Sequence, residues 1–158
     1  MSSSYRYRST AVGGTFDHIH RGHRALLQRA FETSESVVIG LTSDKFVTDE
    51  GKKIHHDFDD RKKQLIRYLD KHYPSRRYQI TKLESHFGAG IFTNAIDAIV
   101  VSTETFPTVK FANEKRVQAG LSEMKVEVVP MIPAHDGVKI SSTRIRAGEI
   151  DIEGNPRK

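Results

Sequence analysis

Val12-Gly13-Gly14-Thr15-Phe16-Asp17-His18-Ile19-His20-Arg21-Gly22-His23 decides how the chain folds. It leaves a β-branched run at residues 10–12, crosses two glycines and enters Leu26, Leu27, Ala30 and Phe31, which recur at helical spacing. The spacing predicts a strand, a tight loop and a helix over residues 22–33. Glycines let such a loop approach a ligand closely, and a helix N-terminus offers unpaired N–H groups and a positive dipole to an anion. Gly13, Gly14 and Thr15 therefore read as a phosphate cradle. The stretch lacks the GKS or GKT ending of a P-loop and the third glycine of a dinucleotide fingerprint. His20 and His23 fall on one side of the first helical turn, where imidazoles can donate to phosphate oxygens, more strongly when protonated. Two other readings stand beside this one. His18, His20 and His23 could form a metal cluster, although there is no Cys and no HExxH spacing. Alternatively, His20 and His23 cap the turn or pack on the sheet, with His18 structural.

Outward from this stretch, short β-branched runs at residues 36–41, 78–82, 98–101 and 126–129 alternate with helical patterns. That rhythm predicts parallel strands joined by crossover helices in an α/β fold. Val37-Val38-Ile39-Gly40-Leu41 is apolar throughout, as expected of a strand covered on both faces in the middle of a sheet. Phe58, Leu65, Ile66 and Leu69 mark a helix over residues 57–72 that Pro74 stops, with Arg61-Lys62-Lys63 on its outer face. Thr105 is placed to cap a third helix with Pro107 in its first turn and Gly120 at its end. In that helix Val109 and Ala112 share a face with Asn113 and Arg116. A last helix spans residues 141–148, and the tail from Glu153 is expected to fray.

Composition bounds the function. The 158 residues suit one domain, 1–158, and the 37% hydrophobic and 28% charged content is that of a globular protein. No run reaches the about 18 apolar residues of a membrane span, and the start lacks a signal-like apolar segment. The absence of Cys removes disulfides, thiolate metal sites and cysteine nucleophiles. A net charge of +5 suits a polyanion, either nucleic acid or a small phosphorylated metabolite. The basic residues are scattered in short pieces, which speaks against nucleic acid.

A second signature, Lys139-Ile140-Ser141-Ser142-Thr143-Arg144-Ile145-Arg146, follows Asp136-Gly137. Three hydroxyls at a helix start supply caps and donors, and arginines add bidentate grip on phosphate. An ordinary cap with a solvated basic turn is the alternative.

The HxGH pattern at residues 20–23 and the ISSTRIR at residues 140–146 resemble the paired signatures of the nucleotidylyltransferase superfamily. With AVGGTFDHIHRGHRALLQRAFE, VVIGLTSDKFV, DAIVVSTETF and ISSTRIRAGEID in order, the chain is similar to the archaeal and eukaryotic-type pantetheine-phosphate adenylyltransferases over nearly its whole length. The resemblance implies a single Rossmann-like domain with five parallel strands flanked by helices on both faces. It implies a cytoplasmic enzyme that moves AMP from ATP to 4'-phosphopantetheine, with Mg2+ carried on the ATP phosphates and no nucleic-acid or membrane partner. In-line attack on the α-phosphorus needs alignment and donors, not a covalent nucleophile. By the same resemblance His23 stabilises the transition state, His20 holds the triphosphate and Thr15 positions the acceptor phosphate. Lys45, with Lys52 and Lys53 within reach of the same role, neutralises substrate phosphates. Ser141, Ser142 and Thr143 bind the β- and γ-phosphates with Arg144 or Arg146, one of which points to solvent. Asn113 and Arg116 are adenosine contacts or internal partners, and Asp17 organises the loop. Two departures bear on the acceptor: Glu84-Ser85-His86-Phe87-Gly88-Ala89-Gly90 replaces an acidic, proline-containing stretch, and His135 stands where an acid is usual. NMN or FMN adenylyltransferases and CTP-dependent cytidylyltransferases would reuse both signatures, and a non-catalytic nucleotide-binding protein would keep the cradle.

Overall fold

The structure is a computed structural model that describes residues 4–85 and 95–157, so the 86–90 departure lies outside the described residues. Five strands, β1 (Tyr7–Gly14), β2 (Ser34–Thr42), β3 (Arg77–Leu83), β4 (Ala98–Ser102) and β5 (Lys125–Val129), pair in parallel in the order β3-β2-β1-β4-β5. Helices α1 (Arg21–Thr33), α2 (Asp44–Asp49), α3 (Phe58–His72), α4 (Phe106–Gln118) and α5 (Ser142–Arg146) join or follow them. All five expected strands form. The apolar β2 is an inner strand, but β1 holds the centre, and Val38 is only half-buried.

Alternation along β1 and β4 feeds two cores. Val12 and Val100 join Leu27, Ala30 and Phe31 of α1 with Leu65 and Leu69 of α3. Ala11, Ile99 and Val101 meet Val109 and Ala112 of α4 on the other face. Each fully buried Leu or Phe there contributes about 1.5–3 kcal/mol of apolar burial. A third cluster of Ala134, Ile140, Ile145 and Ile150 carries the C-terminal segment.

Helix ends follow local chemistry, with one exception. Asp57 caps α3 by accepting from Asp60 N–H, and Ser141 caps α5 by accepting from Arg144 N–H. Gly120 closes α4 at φ +83°, which glycine reaches without a Cβ penalty. Thr105 precedes α4 without a side-chain cap bond, because its own φ and ψ (−88°, −19°) are already helical. The tail is not frayed as far as residue 157: Glu153 pairs with Arg24 at 2.6 Å, His135 N–H donates to Gly154 C=O at 2.9 Å, and Ile150 bridges Pro156. Among the described residues no helix is long and apolar enough to cross a membrane.

Candidate active site

In this strand order the chain leaves β1 toward β2 on one side, while β4 lies on the other. That reversal opens a crevice at the carboxyl ends of the central strands. Gly13 and Gly14 end β1 there. The Leu83 side chain packs on the glycines: a Cβ on Gly13 would lie 3.3 Å from Leu83 Cδ1, and one on Gly40 of β2 only 2.6 Å from it. Thr15 follows, its hydroxyl 3.0 Å from the Thr42 Oγ1 that donates to it. Phe16 then turns the chain at φ +49° with its ring fully buried against His23, centroids 4.8 Å apart.

The two helix-start histidines stack face to face at 3.8 Å. His20 is the N-cap of α1, its Nδ1 accepting from Gly22 N–H at 3.0 Å and His23 N–H at 3.3 Å. The ring proton is therefore on Nε2, which is left as a donor. A Cβ on Gly22 would sit 2.9 Å from His20 Cε1, so the glycine between the histidines is what lets the ring fold over the helix start. His23 Nδ1 lies 2.8 Å from the His18 carbonyl oxygen and 3.4 Å from His20 N–H. These contacts ask for opposite protonation, and the shorter one can only be a donated hydrogen bond, which fixes Nδ1–H. In the neutral ring Nε2 is then a bare lone pair. Capping through Nδ1 thus leaves His20 with a donor on Nε2. Burial first, then the nearby His23, Arg24 and His18, push His20 down to about 2. Burial likewise pushes His23 down to about 4, against the His18 carbonyl bond, which favours the cation. Neither imidazole is charged at neutral pH without an anion.

Asp17 is fully buried and accepts from His55 N–H at 2.9 Å, His56 N–H at 3.0 Å and Arg146 Nη1 at 2.8 Å. Burial alone would raise its pKa, but these bonds outweigh it and hold the carboxyl below the usual range. It organises the loop, as expected. The Arg146 bond joins the two sequence signatures, and Arg146 also lies 3.4 Å from Thr143 Oγ1. Lys139 pairs with Glu104 beyond β4, bringing the second signature over the same mouth. Ser141 spends an acceptor on its cap, while Ser142 is half-buried and Thr143 exposed.

Neither arginine points to solvent. Arg144 is drawn away from phosphate duty by Asp136 at 2.5 Å, Glu149 at 2.9 Å and the carbonyls of Val138 and Lys139. Two acids already neutralise it, so its role is to pin the 136–139 turn to α5. Of the two roles open to Asn113 and Arg116, the bonds they make are those of internal partners. Asn113 exchanges two hydrogen bonds with the Met124 backbone, and Arg116 donates to Ser122 and Ile96 carbonyls, all preceding β4 or β5. That is the amino end of the sheet, opposite the crevice. A cleft of about 830 Å³ lined by Arg8, Asp97, Arg116 and Lys125 lies at this same end and is remote from the phosphate signatures. Lys45, in the first turn of α2, is at the correct end but exposed and paired with Asp49 at 2.8 Å. Lys52 and Lys53 are exposed.

Arg61 overturns another expectation. It is fully buried rather than on an outer face, donating to Thr15 C=O at 2.9 Å, His56 C=O at 3.0 Å and Asp44 at 2.8 Å. The signal was present: residue 61 falls three after Phe58 and four before Leu65, on the apolar stripe. His55 and His56 were not singled out, since nothing in local spacing ties them to Asp17.

A profile of the cytidylyltransferase-like family matches residues 11–148. The phosphopantetheine adenylyltransferase of Methanopyrus kandleri is 42% identical over 151 residues, covering 96% of each chain. That of Methanothermobacter thermautotrophicus is 43% identical over 151 residues, covering 95% of this chain and 90% of its own. Among solved structures, a protein of unknown function from Archaeoglobus fulgidus superposes with TM-score 0.69 at 27% identity, over 77% of this chain and 88% of its own. A match of that span on a sheet of this order settles the kinship: the chain belongs to the cytidylyltransferase-like family.

Proposed function

We propose that the protein is a phosphopantetheine adenylyltransferase, transferring AMP from ATP to 4'-phosphopantetheine and releasing dephospho-coenzyme A and pyrophosphate. The observation that carries this reading is the Arg146–Asp17 bond of 2.8 Å, which puts two signatures 129 residues apart at one mouth. The acceptor is supported by the names of relatives about 42% identical over 96% of the chain.

An oxygen of the acceptor phosphate attacks the α-phosphorus of ATP. The new P–O bond forms as the bond to the bridging oxygen breaks, and its electron pair leaves with pyrophosphate, so no protein nucleophile is needed. The helix start of α1 with Gly13, Gly14 and the Nε2–H of His20 faces the triphosphate as neutral donors. His23 takes a proton as negative charge arrives, and its Nε2 then donates to the equatorial oxygens, where charge builds in the transition state. Thr15, oriented by Thr42, positions the acceptor phosphate; Lys45 releases Asp49 to neutralise it. Ser141, Ser142 and Thr143 hold the β- and γ-phosphates with Arg146.

Asp17, the acid of the signature, is buried with its oxygens taken by Arg146 and backbone N–H groups, so the loop provides no carboxylate cage for Mg2+. This suits an ion held by phosphate oxygens and water, which supplies charge neutralisation when bound. The reading includes a cytoplasmic enzyme with no nucleic-acid or membrane partner.

Pyrophosphate release tests it, with ATP or CTP against 4'-phosphopantetheine, nicotinamide mononucleotide and flavin mononucleotide. Release only with ATP and 4'-phosphopantetheine is expected. Release confined to another pair reassigns the acceptor or the nucleotide, and ATP binding without turnover on any acceptor contradicts an enzymatic role.

A further inference from the structure

Beside the phosphate mouth the fold assembles a histidine cluster that the transfer reaction does not use. His18 Nε2 faces His55 Nδ1 at 2.9 Å across 37 residues of chain. His56 packs edge-on to His18, ring centroids 5.3 Å apart, and Asp17, His18 and His55 each bring a ligand atom within 4.8 Å of the other two. The grouping differs from the metal cluster of residues 18, 20 and 23 raised by the sequence. His20 and His23 have their Nδ1 atoms committed to the backbone, whereas His18 turns away from them toward the stretch before α3.

We propose that His18 and His55 form a binding site for an imidazole-preferring divalent transition ion, of the Zn2+, Ni2+ or Co2+ class. Bonds of about 2.0–2.1 Å at a tetrahedral angle separate two ligand nitrogens by roughly 3.3 Å, so the nitrogens need to part by about 0.4 Å while the rings turn to aim both lone pairs at the ion. The positions are preset by the backbone, because His55 N–H and His56 N–H are both anchored on the Asp17 carboxylate. Burial, reinforced by His55, His56 and Arg146, keeps His18 below the ordinary imidazole range, so its lone pair is available at neutral pH. Arg146 is held on the same Asp17 carboxylate, which offsets that neighbouring cation. The Asp17 oxygens are already occupied, so the carboxylate acts as a nearby negative charge rather than as a ligand. His55 is exposed, which leaves the remaining coordination positions open to water. Hard Mg2+ prefers oxygen donors and does not compete for a pair of imidazoles. An ion here would tie the cradle loop to the stretch before α3. The site stands on its own geometry, whatever nucleotide or acceptor the protein uses.

The test is calorimetric titration of the full chain, without nucleotide at pH 7.5, using ZnCl2 and NiCl2, with circular dichroism to confirm that each variant is folded. The wild type is expected to take up one ion per chain, with affinity unaffected by millimolar Mg2+. His18→Gln and His55→Gln each weaken uptake at least tenfold, while exposed His135→Gln does not. Ring-proton NMR of the wild type should show the His18 and His55 signals moving together at one equivalent. No uptake, uptake that survives both substitutions, or displacement by equimolar Mg2+ would each overturn the site and leave an ordinary imidazole hydrogen bond.

Discussion

At the scale of single residues, the stacked histidines divide their work by tautomer. His20 is a donor in its neutral form, whereas His23, with Nδ1–H given to the His18 carbonyl, donates from Nε2 only after taking a proton. In the proposed mechanism its contribution is therefore tied to charge on the nucleotide and greatest at the transition state. His23→Ala is expected to lower kcat by about 10²–10³-fold, the cost of losing one transition-state donor, with a much smaller change in ATP affinity. Steady-state kinetics paired with calorimetric ATP binding checks this, and equal losses in both would refute the role. The same burial has a stability signature. Both rings stay neutral in the fold to about 2 and about 4, while an unfolded histidine titrates near 6.5. Below that pH the unfolded chain binds more protons, so stability present above pH 6.5 is lost as the pH falls, by about 1.4 kcal/mol per unit for each ring. Urea denaturation from pH 7.5 to 4.5 should show this slope, and His20→Asn, which keeps a cap acceptor, should remove one ring's share. A slope identical to wild type contradicts the neutral assignment.

At the scale of elements, α3 does more than cover the sheet. Arg61 reaches from its apolar stripe to the Thr15 carbonyl, the His56 carbonyl and Asp44 at the start of α2, so three segments around the mouth share one guanidinium. Arg61→Met keeps the apolar stem but leaves acceptors unpaired, at about 1–3 kcal/mol for each one that water cannot reach. The expected loss is roughly 2–4 kcal/mol by urea denaturation, and Arg61→Lys should recover little, since one ammonium cannot span the three partners. A loss below about 0.5 kcal/mol, typical of a surface position, would show that the side chain is not needed there. The sequence marked the α3 stripe but assigned residue 61 to a solvated basic run, because composition weighs charge and the helical phase weighs position. Here phase was the better guide. The short α2 escaped notice altogether, since six residues give too little periodicity to separate a helix from a loop.

At the scale of the molecule, the active mouth is made by residues that are local in sequence only in part. The five strands, both glycines, the paired histidines and the hydroxyl cluster were legible because backbone chemistry requires those residue types at those spacings. Asn113, Arg116 and Arg144 were left with two roles open for the opposite reason. Their spacing was read correctly, yet whether a buried polar group meets a ligand or a carbonyl depends on which end of the sheet it faces, and no local pattern carries that. The two arginines of α5 give a direct comparison. Arg146→Ala, which uncouples the signatures, should weaken ATP binding about 10- to 100-fold, the value of one charge-assisted hydrogen bond. Arg144→Ala, which frees the 136–139 turn, should lower thermal stability and leave ATP affinity within about threefold. Binding isotherms and melting curves of the two variants distinguish these outcomes, and reversed effects would interchange the roles. The central claim, that both signatures serve one adenylyl transfer, is tested most directly by following ATP labelled at the α-phosphate and identifying the products by mass. The account predicts the label in an adenylated phosphopantetheine, formed in equal amount with unlabelled pyrophosphate. Label recovered as ADP, or left in ATP whether or not the acceptor is present, would contradict it.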